Sequence, residues 1–138
     1  MNLFRLLSKA ITLHSGQKTR YKINCDALTN ADWKCLAFIA ATEILPPFSS
    51  VEGVPTGGLK FAKALQYYCQ KTGPLLICDD VLTTGNSLEE QRNQRKVLGI
   101  IVFARNRVPD WVYPIFQMGV NKCGKSKSMN ESPGFGQR

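Results

Sequence analysis

Two unbroken apolar runs frame the chain, residues 75–78 and 98–104. Runs of that kind mark strands buried on both faces, as in a parallel sheet. Residues 48–54 are strand-like and end in a tight Pro55-Thr56-Gly57-Gly58 loop. Residues 59–70 then place Leu59, Ala62 and Leu65 on successive helical turns, and Lys71-Thr72-Gly73-Pro74 stops them. A polar Thr/Gly loop and a short polar helix lie between the two apolar runs. Strand and helix alternating over about 55 residues predict an α/β fold built on a parallel sheet.

The flanks are less regular. Leu3, Leu6, Leu7 and Ala10 have helical spacing, which predicts a short amphipathic helix over residues 2–10. Residues 11–13 and 21–25 predict short strands around a turn-rich stretch at 15–19. Thr29 with Asp32 three residues on predicts a capped helix start. That helix should run to about Ile44, where Pro46 and Pro47 end it. Residues 111–118 suit a last strand or short helix, with Pro114 confining it to an edge or turn. The expected organisation is a single domain over 1–120, with 1–28 as a small hood, followed by a basic mobile tail over 121–138.

Composition narrows the class. With 138 residues, 43% hydrophobic and 20% charged, the chain can bury about 70% of its unfolded surface, so wholesale disorder is excluded. No apolar run approaches the ~20 residues of a membrane span. The N-terminal stretch is interrupted by Arg5 and Lys9, which makes it a poor signal peptide. Five cysteines, an odd set with no C-x-x-C, and a single histidine argue against a disulfide framework or a zinc site. A reducing, cytoplasmic setting is the expectation.

The formal net charge of +8 calls for an anionic partner: nucleic acid, phosphorylated metabolite or acidic surface. Five cations and no acid fall between residues 91 and 108. A nucleic-acid surface would carry a continuous basic face with interleaved aromatics, which argues against that partner.

Chemistry gathers where helices follow strands, since ligands of open parallel sheets bind beyond the carboxyl ends of the strands. In the first such loop Gly57 and Gly58 let backbone N–H groups approach an anion, and Lys60 is a cation in a first helical turn, where the dipole disfavours one. The second loop carries more. Asp79 and Asp80 end an apolar run, and two neighbouring carboxylates there are costly without donors or cations nearby. Thr83, Thr84, Gly85, Asn86 and Ser87 follow, a set of backbone N–H groups and hydroxyls suited to a phosphate. It is not a Walker loop, because no Gly-Lys-Ser/Thr occurs. Acids that bind a diol beside a phosphate cup describe a ribose 5-phosphate site. Arg105 ends the second apolar run, where a guanidinium can hold a carboxylate in two-point fashion; a salt bridge to Asp110 or Glu52 is the alternative.

Residues 75–87 closely resemble the phosphoribosyl pyrophosphate motif of type I phosphoribosyltransferases: four apolar residues, two acids, one apolar residue, then Thr-Thr-Gly-x-Ser/Thr. Three further stretches resemble the orotate branch of that family. They are residues 12–19 around His14, Ser15, Gly16 and Lys18, residues 53–58, and the strand 99–105 with its terminal arginine. Together the likeness covers about residues 10–110. It implies the family's Rossmann-like parallel-sheet core with a hood, and transfer of ribose 5-phosphate from phosphoribosyl pyrophosphate to orotate or a related base.

By that resemblance Asp79 and Asp80 take the ribose hydroxyls and 83–87 the 5-phosphate. Thr56, Gly57, Gly58 and Lys60 take pyrophosphate, Arg105 the orotate ring, and His14 and Lys18 join the substrate set. Mg²⁺ would sit on substrate oxygens, with no direct protein ligands, and a homodimer is implied. One departure stands out. Family members carry an extra strand and a mobile basic loop where this chain has only residues 59–74. The basic tail with Lys122, Lys125 and Lys127 is a candidate replacement for that lid. A phosphoribosyl pyrophosphate-binding regulator without efficient catalysis is the alternative reading.

Overall fold

The structure, a computed structural model, describes residues 2–13, 16 and 18–119. His14 and the basic tail at 121–138 lie outside the described residues. The chain opens with an antiparallel hairpin of β1 (Phe4–Thr12) and β2 (Lys18–Ile23). A short 3₁₀ turn (Cys25–Ala27) leads to α1 (Asn30–Ile39), which continues as a π-helical segment over Ala40–Ile44. Next come β3 (Ser50–Gly53), α2 (Leu59–Leu65) with a 3₁₀ turn (Gln66–Tyr68), and β4 (Leu75–Leu82). The chain then forms α3 (Asn86–Arg92), β5 (Leu98–Ala104) and β6 (Val112–Gln117).

The strands β3-β4-β5-β6 form a four-stranded sheet in that order, every pair parallel. The expected α/β class is therefore observed. Thr29 caps α1 as anticipated: its hydroxyl accepts from the Asp32 N–H at 3.2 Å, and its own N–H donates to Asp32 Oδ2 at 2.7 Å. The helical stretch reaches Ile44, ahead of the two prolines. Pro114 sits in β6, the edge strand, where one missing N–H is tolerated.

One expectation fails. Residues 2–10 do not form a helix; most of them belong to β1, paired from Phe4↔Ile23 through Thr12↔Lys18 with an irregularity between Leu6 and Ile11. A helix of about nine residues gains little on its own. The hairpin instead satisfies the backbone against β2 and sets the Phe4 ring edge-on to Phe103, 5.6 Å between centroids.

Two apolar clusters sandwich the sheet. On one face Leu76, Cys78, Ile100 and Val102 meet Trp33, Leu36 and Ala37 of α1 and Phe61, Ala62 and Leu65 of α2. On the other, Ile77, Ile101 and Ala104 meet Leu88 of α3. The steps β3→β4 and β4→β5 move the same way across the sheet, yet α2 and α3 cover opposite faces. The two crossovers therefore have opposite hands, so one departs from the usual right-handed rule.

Candidate functional site

Strand β4 runs four residues past its apolar run, so Asp79 and Asp80 lie within the ladder, with Asp79 paired to Ile101 of β5. Neighbouring strand residues point to opposite faces, and the two acids do so. Asp79 turns to the α3 face, where it lines a small cavity with Thr83, Thr84, Gly85, Ser87 and Leu88. Asp80 turns toward the α2 face, against the first loop: a Cβ built on Gly57 would lie 2.5 Å from Asp80 Oδ2. Each acid thus belongs to one of the two loops, and the strand holds both loops at one end of the sheet.

Asp79 is only 9% exposed. Burial chiefly, with the Asp80 carboxylate adding, pushes its pKa up to about 7, although the Asp80 N–H donated to Asp79 Oδ1 at 2.8 Å favours the ionised form. Near neutral pH Asp79 can therefore present either a carboxylate or an O–H. Asp80 in turn accepts the Val81 N–H at 2.7 Å.

Both loops hold unused donors. In the second loop Gly85 has φ +83 and leads into α3, and the Asn86 N–H reaches Thr84 Oγ1 at 3.3 Å. The N–H groups of Thr84, Gly85 and Ser87 have no acceptor among the described residues. Asn106 pins the loop by donating to the Thr83 carbonyl. In the first loop Gly58 donates to Val54 O at 2.8 Å and Leu59 to Thr56 O at 3.2 Å, which leaves the Thr56 and Gly57 N–H groups without an acceptor among the described residues. Free N–H groups in a loop of this kind can bind an oxyanion where they converge on it.

Arg105 follows β5 and is 7% exposed. Its guanidinium lies 4.3 Å from the Tyr21 ring centroid, and Nη2 donates to Tyr21 O at 3.1 Å. The hairpin therefore closes over the sheet end through this residue. Neither alternative salt bridge forms, since Glu52 pairs with Arg95 at 2.9 Å. No carboxylate meets Arg105 among the described residues, and its remaining N–H groups have no partner there.

Lys60 lines a separate cavity between α1 and α2, and Lys18 is exposed at the start of β2. Two residues near the site carried no sequence signal: Tyr21, and Cys25, a buried thiol next to Asp80. Burial, with the Asp80 carboxylate adding, raises the Cys25 pKa to about 12. Their roles depend on how the hairpin folds back over the sheet, which local patterning does not encode.

Fold and site together define an α/β domain with an acid beside each of two glycine-containing loops at the carboxyl ends of parallel strands. No family model matches the chain, and no curated protein matches it. Among solved structures it is similar to orotate phosphoribosyltransferase from Mycobacterium tuberculosis H37Rv, in complex with Fe(III) dicitrate. The identity is 17% and the TM-score 0.49, covering 72% of this chain and 77% of that one. At that distance the likeness carries no chemistry to this chain.

Proposed function

We propose that the protein binds phosphoribosyl pyrophosphate and transfers its ribose 5-phosphate to a carboxylate-bearing base, orotate being the favoured acceptor. The observation that carries this reading is the pair Asp79 and Asp80, each facing a loop with unused N–H donors. Asp79 and Asp80 would take the ribose hydroxyls and support positive charge developing at the anomeric carbon. Residues 83–87 would hold the 5-phosphate. Thr56, Gly57 and Gly58 would hold the departing pyrophosphate, with Lys60 the nearest cation in sequence. Buried Arg105, which meets no carboxylate among the described residues, suits an acceptor carboxylate, because a guanidinium without a counter-charge is costly to bury.

Mg²⁺ fits this reading only as an ion carried largely by substrate. Among the described residues no three His, Cys, Asp or Glu side chains gather to hold a metal. Two hard carboxylates beside a phosphate nest suit a cation that keeps waters and phosphate oxygens as ligands. Bound there, it would neutralise charge on the leaving pyrophosphate. The unpaired thiols of Cys25 and Cys78, both buried and with raised pKa, suit a reducing cytoplasm.

The test is an assay of purified protein with orotate, phosphoribosyl pyrophosphate and Mg²⁺, following orotidine monophosphate. Asp80→Asn should lower turnover by about 10²–10³-fold, the usual loss of a transition-state charge partner. One observation favours a second reading. The link from α2 to β4 is a 3₁₀ turn and a bend, with no extra strand or lid loop. A binding protein that senses phosphoribosyl pyrophosphate would need no lid. Tight binding of that compound without product would select this reading over the transferase.

A further inference from the structure

On the α1/α2 side of the sheet, sharing no residue with the cavity beside Asp79, a second cavity of about 640 Å³ opens between α1 and α2. Helical periodicity builds it. Lys60, Lys63, Ala64 and Tyr67 follow the i, i+3, i+4, i+7 spacing of one stripe of α2 and its 3₁₀ extension, while Phe61, Ala62 and Leu65 enter the core. From α1, Asn30, Trp33 and Lys34 complete the wall. Three ammonium groups therefore share one concavity. Among the described residues no carboxylate lines it, and neither ion pair involves these lysines.

That arrangement has a local cost. Like charges one turn apart destabilise a helix, and a lysine in a first turn opposes the dipole. Nothing in the packing requires cations there, whereas an anion in the cavity would turn each of these interactions favourable. Apart from Asn30 and Ala64, the rest of the wall is aromatic. Tyr67 is 86% exposed and meets Tyr68 edge-on, 5.2 Å between centroids, while Trp33 lies 3% exposed at the wall. The Trp33 Nε1 is also the one buried side-chain polar atom without a partner among the described residues.

We propose that this cavity binds a nucleoside phosphate, with its phosphates among Lys34, Lys60 and Lys63 and its base on the Tyr67 ring. The volume falls within the range of about 300–1,000 Å³ usual for small-molecule sites. Paired cations with an exposed aromatic face select a planar, anionic ligand over an aliphatic acid. Of its residues only Lys60 also figures in the transferase reading, so the substitutions that test the cavity leave Lys60 in place.

ADP is the probe, titrated calorimetrically into the full chain at low salt. The expected result is binding that the double substitution Lys34→Glu/Lys63→Glu weakens by about tenfold or more, as charge reversal at a contact does. Tyr67→Ser, at so exposed a position that folding is untouched, should weaken it about fivefold. Ser87→Asp, which places a negative charge in the other nest, should leave it unchanged. Absence of ADP binding at millimolar concentration overturns the proposal. So does binding that Ser87→Asp abolishes and the lysine reversals spare. Tighter binding of a short single-stranded RNA through the same lysines would replace the nucleotide with nucleic acid and overturn it as well.

Discussion

The two loops at the carboxyl end of the sheet use glycine for opposite reasons. In the β3–α2 loop, Gly57 and Gly58 have ordinary φ but no room: a Cβ on Gly57 would strike the Asp80 carboxylate, and one on Gly58 would strike the Cys78 carbonyl and the Val54 backbone. In the β4–α3 loop, Gly85 has room but an unusual backbone, with φ +83 and only Leu82 at 3.7 Å from an added Cβ. The first loop is built by close approach to the neighbouring strand, the second by a turn that needs left-handed φ. A Gly-rich turn in a sequence can thus record packing or conformation, and only the neighbours tell which.

The sharpest way to break that comparison is Gly58→Ala. Its new methyl group meets backbone on both sides, closer to Val54 N (2.7 Å) than real contacts allow, so β3 and β4 must separate. Forced overpacking of this kind costs about 3 kcal/mol, at the upper end because no flexible side chain can yield. Chemical denaturation should show that loss. A change below about 1 kcal/mol would mean that the loop is not clamped to β4 and that its donors are not held in place.

Asp79→Asn probes the acid that faces the other loop, and it should stabilise. A carboxyl whose pKa rises on folding from 3.8 to about 7 keeps a proton that the unfolded chain releases between those values. The folded state therefore loses stability as pH rises through that window, by at most about 4 kcal/mol. The amide that replaces the carboxyl is itself polar and must also be buried, which offsets part of this. The expected gain for the neutral amide is about 2 kcal/mol at pH 7.5, roughly 5 °C in Tm. It should shrink toward nothing as pH falls to about 4. A gain that persists in acid would place its origin in packing, not in the buried charge.

Much of this arrangement was legible in the chain. The capping pair Thr29 and Asp32, the proline stop after Ile44 and the uninterrupted strand Leu98–Ala104 all follow from local rules, because each is decided by residues within a few positions. The juxtaposition of Asp79 with 83–87 was legible for the same reason. The N-terminal segment was not. Leu3, Leu6, Leu7 and Ala10 satisfy helical spacing, but pairing with β2 decides the outcome, and pairing is invisible to a single-segment pattern. Strand β4 likewise outruns its apolar residues, since its ladder with β5 continues through Val81↔Phe103 and Leu82↔Ala104. Arg105 stood out as a candidate, yet its Tyr21 platform comes from 84 residues away in sequence.

Gly85→Ala has the smallest expected effect and separates the loops most cleanly. It is the same substitution as at Gly58, made where space is open. Its cost is therefore the conformational one alone, about 1 kcal/mol for a non-glycine residue held at left-handed φ. Asparagine tolerates that region better, so Gly85→Asn should recover part of the loss, whereas Gly58→Asn should recover nothing. Measured by denaturation, the pair of ratios decides the matter: equal costs at both positions would refute a distinction between packing and conformation. If the distinction holds, Gly85→Ala should also weaken binding of phosphate-bearing ligands more than it weakens the fold. The turn fixes the backbone that carries the N–H groups of Thr84, Gly85 and Ser87, which have no acceptor among the described residues, and an alanine that relaxes toward ordinary φ would reorient them while leaving the sheet intact.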